Sequence, residues 1–261
     1  MQNPKFDDPA FWDAAAEYQR NIDPFTAAFA KRAWDEAAIP PGARVLDIAT
    51  GTGALALIAA RAGADVLATD FSPGMVARVE ELGHANIEAR VLDGQALDLP
   101  DGGFDAAFSI FGIFLFADWQ AGLSEMARVL RPGGTGVLAT WAHPHGAAIN
   151  KLLADLVSEF APELVIPPLP ATGLAALREP ASVVAHMEAA GFRDVRVIEH
   201  THPFIARLDD VLGNQRLFVF SPLWPLLSPD QQEAVVQAMR ARAVDGELSI
   251  PSTALIAIGR R

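Results

Sequence analysis

The chain has 261 residues, of which 51% are apolar and 20% are charged, a balance that supports a large buried core and excludes disorder for most of its length. It contains 20 Lys and Arg against 32 Asp and Glu, and the resulting formal net charge of −12 argues against a nucleic-acid partner and favours a cationic ligand. The absence of cysteine excludes a disulfide framework, a thiolate nucleophile and any metal site with cysteine ligands.

The N-terminal segment, residues 1–43, is predicted to be a helical leader. Its first residues, MQNPKFDDPAFWD, lack the basic and apolar regions of a signal peptide, and no apolar run in the chain approaches the roughly 18 to 20 residues of a membrane-spanning helix. We therefore expect a cytoplasmic protein without a membrane partner. Residues 9–38 repeat apolar side chains every three or four positions, and Pro24 should divide them into two helices.

Residues 44–142 alternate short apolar runs with helical segments. The runs that predict strands are residues 45–49, 65–70, 86–93, 104–112 and 135–141. Strands that alternate with helices are typical of the α/β class with a doubly wound parallel sheet.

Glycines and capping residues agree with these boundaries. Gly63 and Gly83 stand where two helices should end. Ser72 followed by Pro73 predicts the start of a helix, and Asp118 can cap the helix that precedes the fifth strand.

Residues 143–190 do not continue the alternation. This stretch is partly helical, has a proline-rich middle and carries little charge. We expect it to form a helical cap inserted after the fifth strand and to form, together with the leader, an apolar pocket for a small molecule.

The last segment, residues 191–261, returns to regular structure. Period-2 alternation predicts a strand over residues 194–204, and the final apolar run, STALIAIG, predicts another. Between them, Ser228 and Gln231 fit a capping box at the start of a helix. We expect the leader, the α/β half, the cap and these terminal elements to belong to one domain over residues 1–261.

The most informative motif is VLDIATGTG, residues 45–53, in which a buried strand runs into two glycines and then a helix. Such a turn lets a ligand lie against bare backbone. Interpreted as G-x-G-x-x-A, with Asp70 nineteen residues after Gly51, it also satisfies the dinucleotide fingerprint. Asp47, a carboxylate just before the glycines, would repel a pyrophosphate but suits a positively charged ligand. A nicotinamide-dependent oxidoreductase is therefore the disfavoured alternative.

This motif resembles the first motif of the class I S-adenosylmethionine-dependent methyltransferases, VLD-x-x-x-G-x-G, and the resemblance extends over residues 44–141. The segments ATDFS, VLDGQAL, FDAAFSIFGIFLFAD and MARVLRPGG follow in the order of that family and resemble its small-molecule branch. The resemblance implies a Rossmann-like seven-stranded sheet whose last strand is antiparallel, and S-adenosylmethionine as the cofactor.

The resemblance also implies the residues that would bind the cofactor. Asp70 matches the acid that holds both ribose hydroxyls, with Phe71 and Met75 near the adenine. Asp93 matches the acid that meets the adenine amino group. The full expected set is Asp47, Ala49, Thr50, Gly51, Gly53, Asp70, Phe71, Met75, Asp93, Gly94, Gln95 and Ser109.

Methyl transfer needs a general base only when the attacking group arrives protonated with a high pKa. His143 and His145 follow the fifth strand, at the edge where an open α/β sheet presents its ligands, and His143 is the expected base. Tyr18, the only tyrosine, lies in the leader and is the second expected catalytic residue. His200 and His202 alternate on a predicted strand without nearby acids, so we expect no metal site.

The resemblance implies an enzyme that methylates an O, N or C nucleophile of a small, largely apolar organic molecule. Two alternatives stay open. One is a protein of the same fold that binds S-adenosylmethionine without transferring its methyl group. The other is a quinone-type C-methyltransferase, because the run DIATGTG looks like that branch. The expected partner is the small-molecule acceptor, and the expected state is a monomer or homodimer.

Overall fold

The computed structural model describes residues 22–164, 173–213 and 223–261. This part of the chain divides into two compact units. The first unit comprises residues 22–142, 173–200 and 254–261, and the second comprises residues 143–164, 201–213 and 223–253. The segment predicted as one cap, residues 143–190, is therefore shared between the two units.

The described helices and strands alternate through the first half of the chain. The helices are α1 (Asp23–Ala37), α2 (Ala54–Arg61), α3 (Pro73–Glu81), α4 (Trp119–Val129), α5 (Ala148–Phe160), α6 (Gly173–Ala176), α7 (Pro180–Ala189), α8 (Leu208–Gly213) and α9 (Pro229–Arg242). The strands are β1 (Arg44–Ile48), β2 (Asp65–Asp70), β3 (Ile87–Val91), β4 (Phe104–Ile110), β5 (Leu130–Trp141), β6 (Arg193–Arg207) and β7 (Glu247–Arg260). Short 3-10 turns cover Ile113–Leu115 and Trp224–Leu226.

The strands form one seven-stranded sheet in the order β3-β2-β1-β4-β5-β7-β6. Strands β1 to β5 pair in parallel with their neighbours, whereas β7 pairs antiparallel with β5. The last strand is thus inserted between β5 and β6. The doubly wound, Rossmann-like sheet with an antiparallel last strand is confirmed.

Helix α1 begins at Asp23, with Pro24 in its first turn. Proline suits this position because the N–H groups of the first turn have no partner within the helix, so the lack of an N–H costs no helical hydrogen bond. The predicted break at Pro24 therefore corresponds to a helix start, and the helix expected before it lies outside the described residues. The buried face of α1 consists of Phe25, Phe29, Ala30, Ala33, Trp34 and Ala37.

The predicted helix starts are confirmed by their side-chain caps. The amide of Met75 donates to Ser72 Oγ over 3.1 Å, and the amide of Ala121 donates to Asp118 Oδ1 over 2.9 Å. At the start of α9, Ser228 and Gln231 make both hydrogen bonds of a capping box. Each cap satisfies an amide that has no partner within its own helix.

Strand β5 begins five residues earlier than predicted. Leu130 already pairs with Phe104, and the regular register resumes where Thr135 pairs with Ala106. The intervening residues, which resemble a turn in sequence, form an irregularity within the strand. Gly133 has a φ of 77°, and a Cβ on Gly134 would come within 2.9 Å of the carbonyl oxygen of Arg131. Both glycines are therefore required by the local backbone.

Strand β2 covers the predicted residues 65–70, whereas the remaining strands differ from prediction at their ends. β3 covers residues 87–91, so Asp93 lies beyond it. β7 starts at Glu247, five residues before the predicted 252. Proline is rare inside strands, so Pro251 made the segment before it look irregular in the sequence. In the second unit, the extended halves of β6 and β7 are joined by a hydrogen bond of 2.8 Å between the hydroxyls of Thr201 and Thr253.

The core of the first unit surrounds the central strands. Leu46, Ile48, Phe108 and Leu138 are all fully buried. Burial of each such side chain contributes about 1.5–3 kcal/mol to stability. Trp34 of α1 stacks on Phe108, with ring centroids 5.7 Å apart. This packing fixes the ends of β1 and β4, from which the loops of the candidate site leave.

The second unit has a helical core of its own. α5 packs against α9, and Leu153, Leu156, Val235 and Met239 are fully buried. Among the helices of the described ranges, none combines the length and the apolar character that crossing a bilayer requires.

Candidate active site

The strand order reverses between β1 and β4. These two strands are neighbours, yet β2 and β3 lie on one side of them and β5, β7 and β6 lie on the other. The loops that leave the carboxyl ends of β1 and β4 therefore diverge, and open α/β sheets bind their ligands in the crevice formed at such a point. Residues 49–53, here termed the glycine loop, follow β1 at this point.

The two glycines of the glycine loop have different tasks. Both have positive φ, 57° at Gly51 and 89° at Gly53. A Cβ on Gly53 would come within 3.1 Å of side chains of Val79 and Leu82, so this glycine permits close packing. Among the described residues, no atom lies within 4 Å of the position that a Cβ would take on Gly51. Within this part of the chain, the bare backbone of Gly51 therefore faces open space, as a ligand-binding glycine must.

The carboxylate of Asp47 lies beneath the glycine loop and is only 1% exposed. It accepts a hydrogen bond of 2.6 Å from the hydroxyl of Thr50 and another from the amide of Ala56 in the first turn of α2. Burial raises the pKa of Asp47 to about 7, against the lowering effect of these two bonds. Asp47 thus fixes the loop from below without facing solvent, and a bound cation would favour its charged form.

The carboxylate of Asp70, at the end of β2, joins the glycine loop to the next loop. Oδ2 accepts from the amide of Gly51 over 2.9 Å, and Oδ1 accepts from the amide of Ser72 over 3.0 Å. Asp70 is 6% exposed, and burial raises its pKa to about 6 although backbone amides favour the charged form. The structure therefore brings together Asp47, Asp70 and Gly51, as the sequence predicts.

This arrangement fits the cofactor that the sequence implies. Among the described residues, no lysine or arginine compensates the charge of Asp47 or Asp70. Asp70 retains oxygen lone pairs that can accept from hydroxyls, and it lies beside the open face of Gly51. The ribose hydroxyls and the positive charge of S-adenosylmethionine match this set of donors and carboxylates.

The predicted residues after β3 form a turn of their own. Asp93 is exposed, and its Oδ1 accepts from both the amide and the side-chain Nε2 of Gln95, over 2.9 and 3.0 Å. Gln95 Oε1 in turn accepts from the amide of Asp118 over 2.6 Å. A Cβ on Gly94 would meet the ring of Phe116 at 2.6 Å, so packing is what requires glycine there.

Three further predicted residues have mixed exposure. Met75 is 2% exposed in α3, while Phe71, just before that helix, is half-buried. The hydroxyl of Ser109 is buried and accepts from the amide of Ile113 over 3.1 Å, which stabilises the 3-10 turn after β4. Contacts of these residues with a cofactor stay predictions.

The loop after β4 contains a residue that the sequence analysis missed. A Cβ on Gly112 would lie 2.5 Å from the Cβ of Ala49 and 2.9 Å from Ser109 Oγ. The preceding Phe111 has a φ of 64°, and Ala49 has a φ of 55°. Non-glycine residues with positive φ concentrate at functional sites. In the sequence Gly112 is visible only as part of the string FGIF. Its contact with the glycine loop explains why glycine is required at this position.

Aromatic rings line the carboxyl ends of β4 and β5. Phe111 stacks on Trp141 with ring centroids 3.7 Å apart and planes 7° apart. From α1, Phe25 lies parallel to Trp141 at 5.7 Å, and Phe29 meets the same ring edge-on at 5.2 Å. This aromatic cluster, Phe25, Phe29, Phe111 and Trp141, is buried. Its members come from three elements, which is why the sequence alone did not assemble it.

The second unit contains the predicted base. His143 Nδ1 accepts from the amide of His145 over 3.2 Å, and His143 Nε2 lies 3.4 Å from Asp155 Oδ1. Asp155 also binds Lys151 Nζ over 2.6 Å. Burial lowers the pKa of both His143 and His145, so both imidazoles are neutral at pH 7. Tyr18, the other predicted catalytic residue, lies outside the described residues.

Comparison with known proteins gives consistent matches. Residues 45–134 match the model of the methyltransferase domain family. The chain is 43% identical over 125 residues to the demethylmenaquinone methyltransferase of Thermus thermophilus, which covers 46% of this chain and 57% of that protein. It is 37% identical over 186 residues to the demethylmenaquinone methyltransferase of Mycolicibacterium vanbaalenii, which covers 64% of this chain and 76% of that protein.

The share of each relative's length that is matched varies from one relative to another. The matches span 57%, 54% and 39% of the length of three of the curated relatives. Among solved structures, phosphoethanolamine N-methyltransferase 2 of Haemonchus contortus, in complex with phosphomonomethylethanolamine and S-adenosylhomocysteine, shares the fold with a TM-score of 0.53. That similarity has 18% identity and covers 90% of this chain and 52% of that one. With a relative matched at 37% identity over 76% of its length, the chain belongs to the class I S-adenosylmethionine-dependent methyltransferases.

Proposed function

We propose that this protein binds S-adenosylmethionine and transfers its methyl group to an O, N or C nucleophile of a small, largely apolar organic molecule. The observation that carries the proposal is the pair of buried carboxylates, Asp47 and Asp70, around the open backbone of Gly51. S-adenosylmethionine supplies an electrophilic methyl group on a sulfonium. The chain supplies binding, orientation and exclusion of water.

The residues divide this work among themselves. Asp70 would accept from the ribose hydroxyls, and its bond to the Gly51 amide holds the glycine loop in a binding geometry. Asp47 would stabilise the positive charge through its buried field, because charges interact more strongly at low dielectric. The aromatic cluster is buried, so it would keep water from the reacting atoms.

The acceptor is proposed from the chemistry of the aromatic cluster. Its four rings pack against one another, are at most 8% exposed and give this region an apolar character without a charged group. An apolar or aromatic acceptor suits such a region, because it brings no charge that would need a buried partner. Because several matched relatives are demethylmenaquinone methyltransferases, methylation at carbon of a quinol is the first specific candidate.

The second unit offers two candidates for a general base, the predicted His143 and its neighbour His145. Both ring nitrogens of His143 are engaged, one by the amide of His145 and the other by Asp155, so His143 would have to give up a hydrogen bond to accept a proton. Within the described residues, the imidazole of His145 makes no hydrogen bond. We therefore assign proton acceptance to His145 and a positioning task to His143, for acceptors that arrive protonated.

Kinetics of two variants would test this assignment. With a phenolic or quinol acceptor, His145→Ala should lower kcat about 100-fold, because general-base catalysis contributes at least that factor. His143→Ala should lower kcat less, and neither variant should change affinity for S-adenosylhomocysteine. His84→Ala, at the amino end of β3, serves as the matched control and should leave kcat unchanged. An unchanged kcat in His145→Ala would refute the assignment.

The proposed activity is tested by product analysis. Purified protein is incubated with S-adenosylmethionine and a panel of quinols, phenols, amines and carboxylates, and both S-adenosylhomocysteine and a product heavier by one methylene are measured. Formation of both with at least one acceptor supports methyl transfer. Binding of S-adenosylmethionine with no product from any acceptor favours the alternative of a non-methylating protein of this fold. The cytoplasmic location and the monomeric or homodimeric state stay predictions.

A further inference from the structure

The first turns of α1 lie across the sheet edge that carries the candidate site. Phe25 and Phe29 contact Trp141 at the end of β5, and Phe29 also contacts Phe111 at 5.5 Å after β4. Because these residues are buried on one face of α1, the start of the helix is fixed beside the crevice. The residue that opens α1 is Asp23.

Asp23 reaches the glycine loop directly. Its Oδ2 accepts a hydrogen bond from the hydroxyl of Thr52, which stands between the two loop glycines and is 3% exposed. Asp23 itself is half-buried, and burial raises its pKa. Among the described residues, no lysine or arginine contributes to its environment. A carboxylate has four lone-pair positions, and the Thr52 hydroxyl uses one of them.

The strand order indicates which part of the cofactor Asp23 would face. By the family resemblance, Asp93 after β3 and Asp70 after β2 belong to the adenine and the ribose. Along the order β3-β2-β1-β4, the methionyl end of the cofactor must then lie near the ends of β1 and β4. Asp23 contacts the loop after β1, and α1 covers the end of β4. The methionyl end carries an ammonium group, which a carboxylate binds through a charge-assisted hydrogen bond.

We propose that Asp23 is a cofactor-binding residue that accepts from the methionyl ammonium group of S-adenosylmethionine. The proposal rests on the proposed function and extends it to a residue outside the family motifs. It gives α1 a task beyond covering the site, since the helix then carries one of the groups that bind the cofactor.

Binding of two ligands by variants of Asp23 tests the proposal. Calorimetric titration compares S-adenosylhomocysteine with its deaminated analogue, in which hydrogen replaces the ammonium group. Asp23→Asn keeps an oxygen for the Thr52 hydroxyl but removes the charge. We expect the substitution to lower the affinity for S-adenosylhomocysteine at least about tenfold, because hydrogen bonds to charged groups contribute about 1.5–3 kcal/mol. The affinity for the deaminated analogue should change less than about twofold.

Two control variants separate binding from structure. Asp35→Asn makes the same change on the exposed side of α1, where Asp35 pairs with Lys31, and should alter neither affinity. Thr52→Val removes the hydrogen bond to Asp23 and should not reduce the preference for S-adenosylhomocysteine over the analogue. Equal weakening of both ligands by Asp23→Asn, or no weakening of either, would overturn the proposal. Failure of the unaltered protein to bind S-adenosylhomocysteine would instead overturn the proposed function.

Discussion

The glycine loop of the first unit and the histidine cluster of the second unit are built in opposite ways. Asp47 and Asp70 are 1% and 6% exposed, and backbone amides of adjacent loops hold them. His143 is held by one amide and by the side chain of Asp155, whose side chain is 45% exposed and also pairs with Lys151. Backbone contacts fix a group more firmly than contacts between mobile side chains, so the carboxylates around the glycine loop are more rigidly held than the histidines of the second unit.

The difference matches what each region would have to do. A cofactor is the same molecule in every cycle, and a loop with buried carboxylates can be shaped for it permanently. The groups that meet an acceptor differ among enzymes of one fold. Variants of Gly51 and Asp70 should therefore weaken binding of any cofactor-like ligand, whereas variants of the second unit should leave that binding intact.

The largest effect is expected from Gly51→Val. A β-branched side chain at a φ of 57° is strained, and it would project into the open space that the ligand needs. Affinity for S-adenosylhomocysteine should fall at least about 100-fold, or roughly 2.8 kcal/mol, by calorimetry. Gly42→Val is the matched control, because Gly42 also has positive φ and no atom of the described residues within 4 Å of its Cβ position but precedes β1. Comparable losses of affinity in both variants would show that strain alone is responsible.

A smaller loss is expected from Asp70→Ala. The variant removes the acceptor for the Gly51 and Ser72 amides together with the proposed ribose contacts. Affinity for S-adenosylmethionine should fall about 10- to 100-fold, since each lost bond to a charged group costs about 1.5–3 kcal/mol and the loop relaxes in part. The affinity of the Asp70→Asn variant should lie between those of Asp70→Ala and the unaltered protein. Unchanged affinity in Asp70→Ala would mean that the ribose is placed incorrectly.

A moderate effect is expected from pH. Because burial raises the pKa of Asp70 to about 6, its carboxylate is largely protonated at pH 5 and ionised at pH 7. Affinity for S-adenosylmethionine should rise about tenfold between these pH values, with proton uptake or release visible in buffers of different ionisation enthalpy. Affinity that is independent of pH in this range would contradict the assigned charge state.

The free protein should show the opposite trend in stability. The pKa of Asp47, raised to about 7, and that of Asp70 both lie above their unfolded value of 3.8, so the folded state binds more protons than the unfolded chain between pH 4 and 7. The contribution of these groups to the free energy of unfolding is present below pH 4 and is lost as pH rises through this window. Denaturant titrations of Asp47→Asn should show a flatter pH dependence than those of the unaltered protein.

The smallest effect is expected from Ser228→Ala, which removes the capping box of α9 in the second unit. Loss of such a cap costs about 1 kcal/mol of stability, measurable by chemical denaturation. Affinity for S-adenosylhomocysteine should not change. A loss of affinity comparable to that of Asp70→Ala would show that the two regions are not separable as described.

The sequence predicts the first unit better than the second. Strands β2 and β4 and the starts of α3, α4 and α9 follow from local patterns, because periodicity and capping depend on neighbouring residues. The proximity of Asp47, Gly51 and Asp70 was predictable because they lie in motifs near strand ends. The start of β5 was not, since residues 131–134 have turn composition but continue the strand through an irregular register.

The rest of the site depends on contacts between distant segments. Gly112 is required by a contact with Ala49, and Trp141 has ring partners both in α1 and in the loop after β4. Asp23 meets Thr52 across 29 residues of sequence. Neither a periodicity nor a motif in the sequence predicts such contacts. The occupied nitrogens of His143 were likewise invisible, because the hydrogen-bond partners of a histidine are set by the fold and not by its neighbours in a motif.

The most direct test of the central claim is calorimetric titration of the unaltered protein with S-adenosylmethionine, S-adenosylhomocysteine and NAD in parallel. We expect micromolar binding of the first two and no response to NAD, because buried carboxylates beside Gly51 favour a positively charged ligand over a pyrophosphate. Binding of NAD alone would contradict the assignment of Asp47 and Asp70 and the function built upon them.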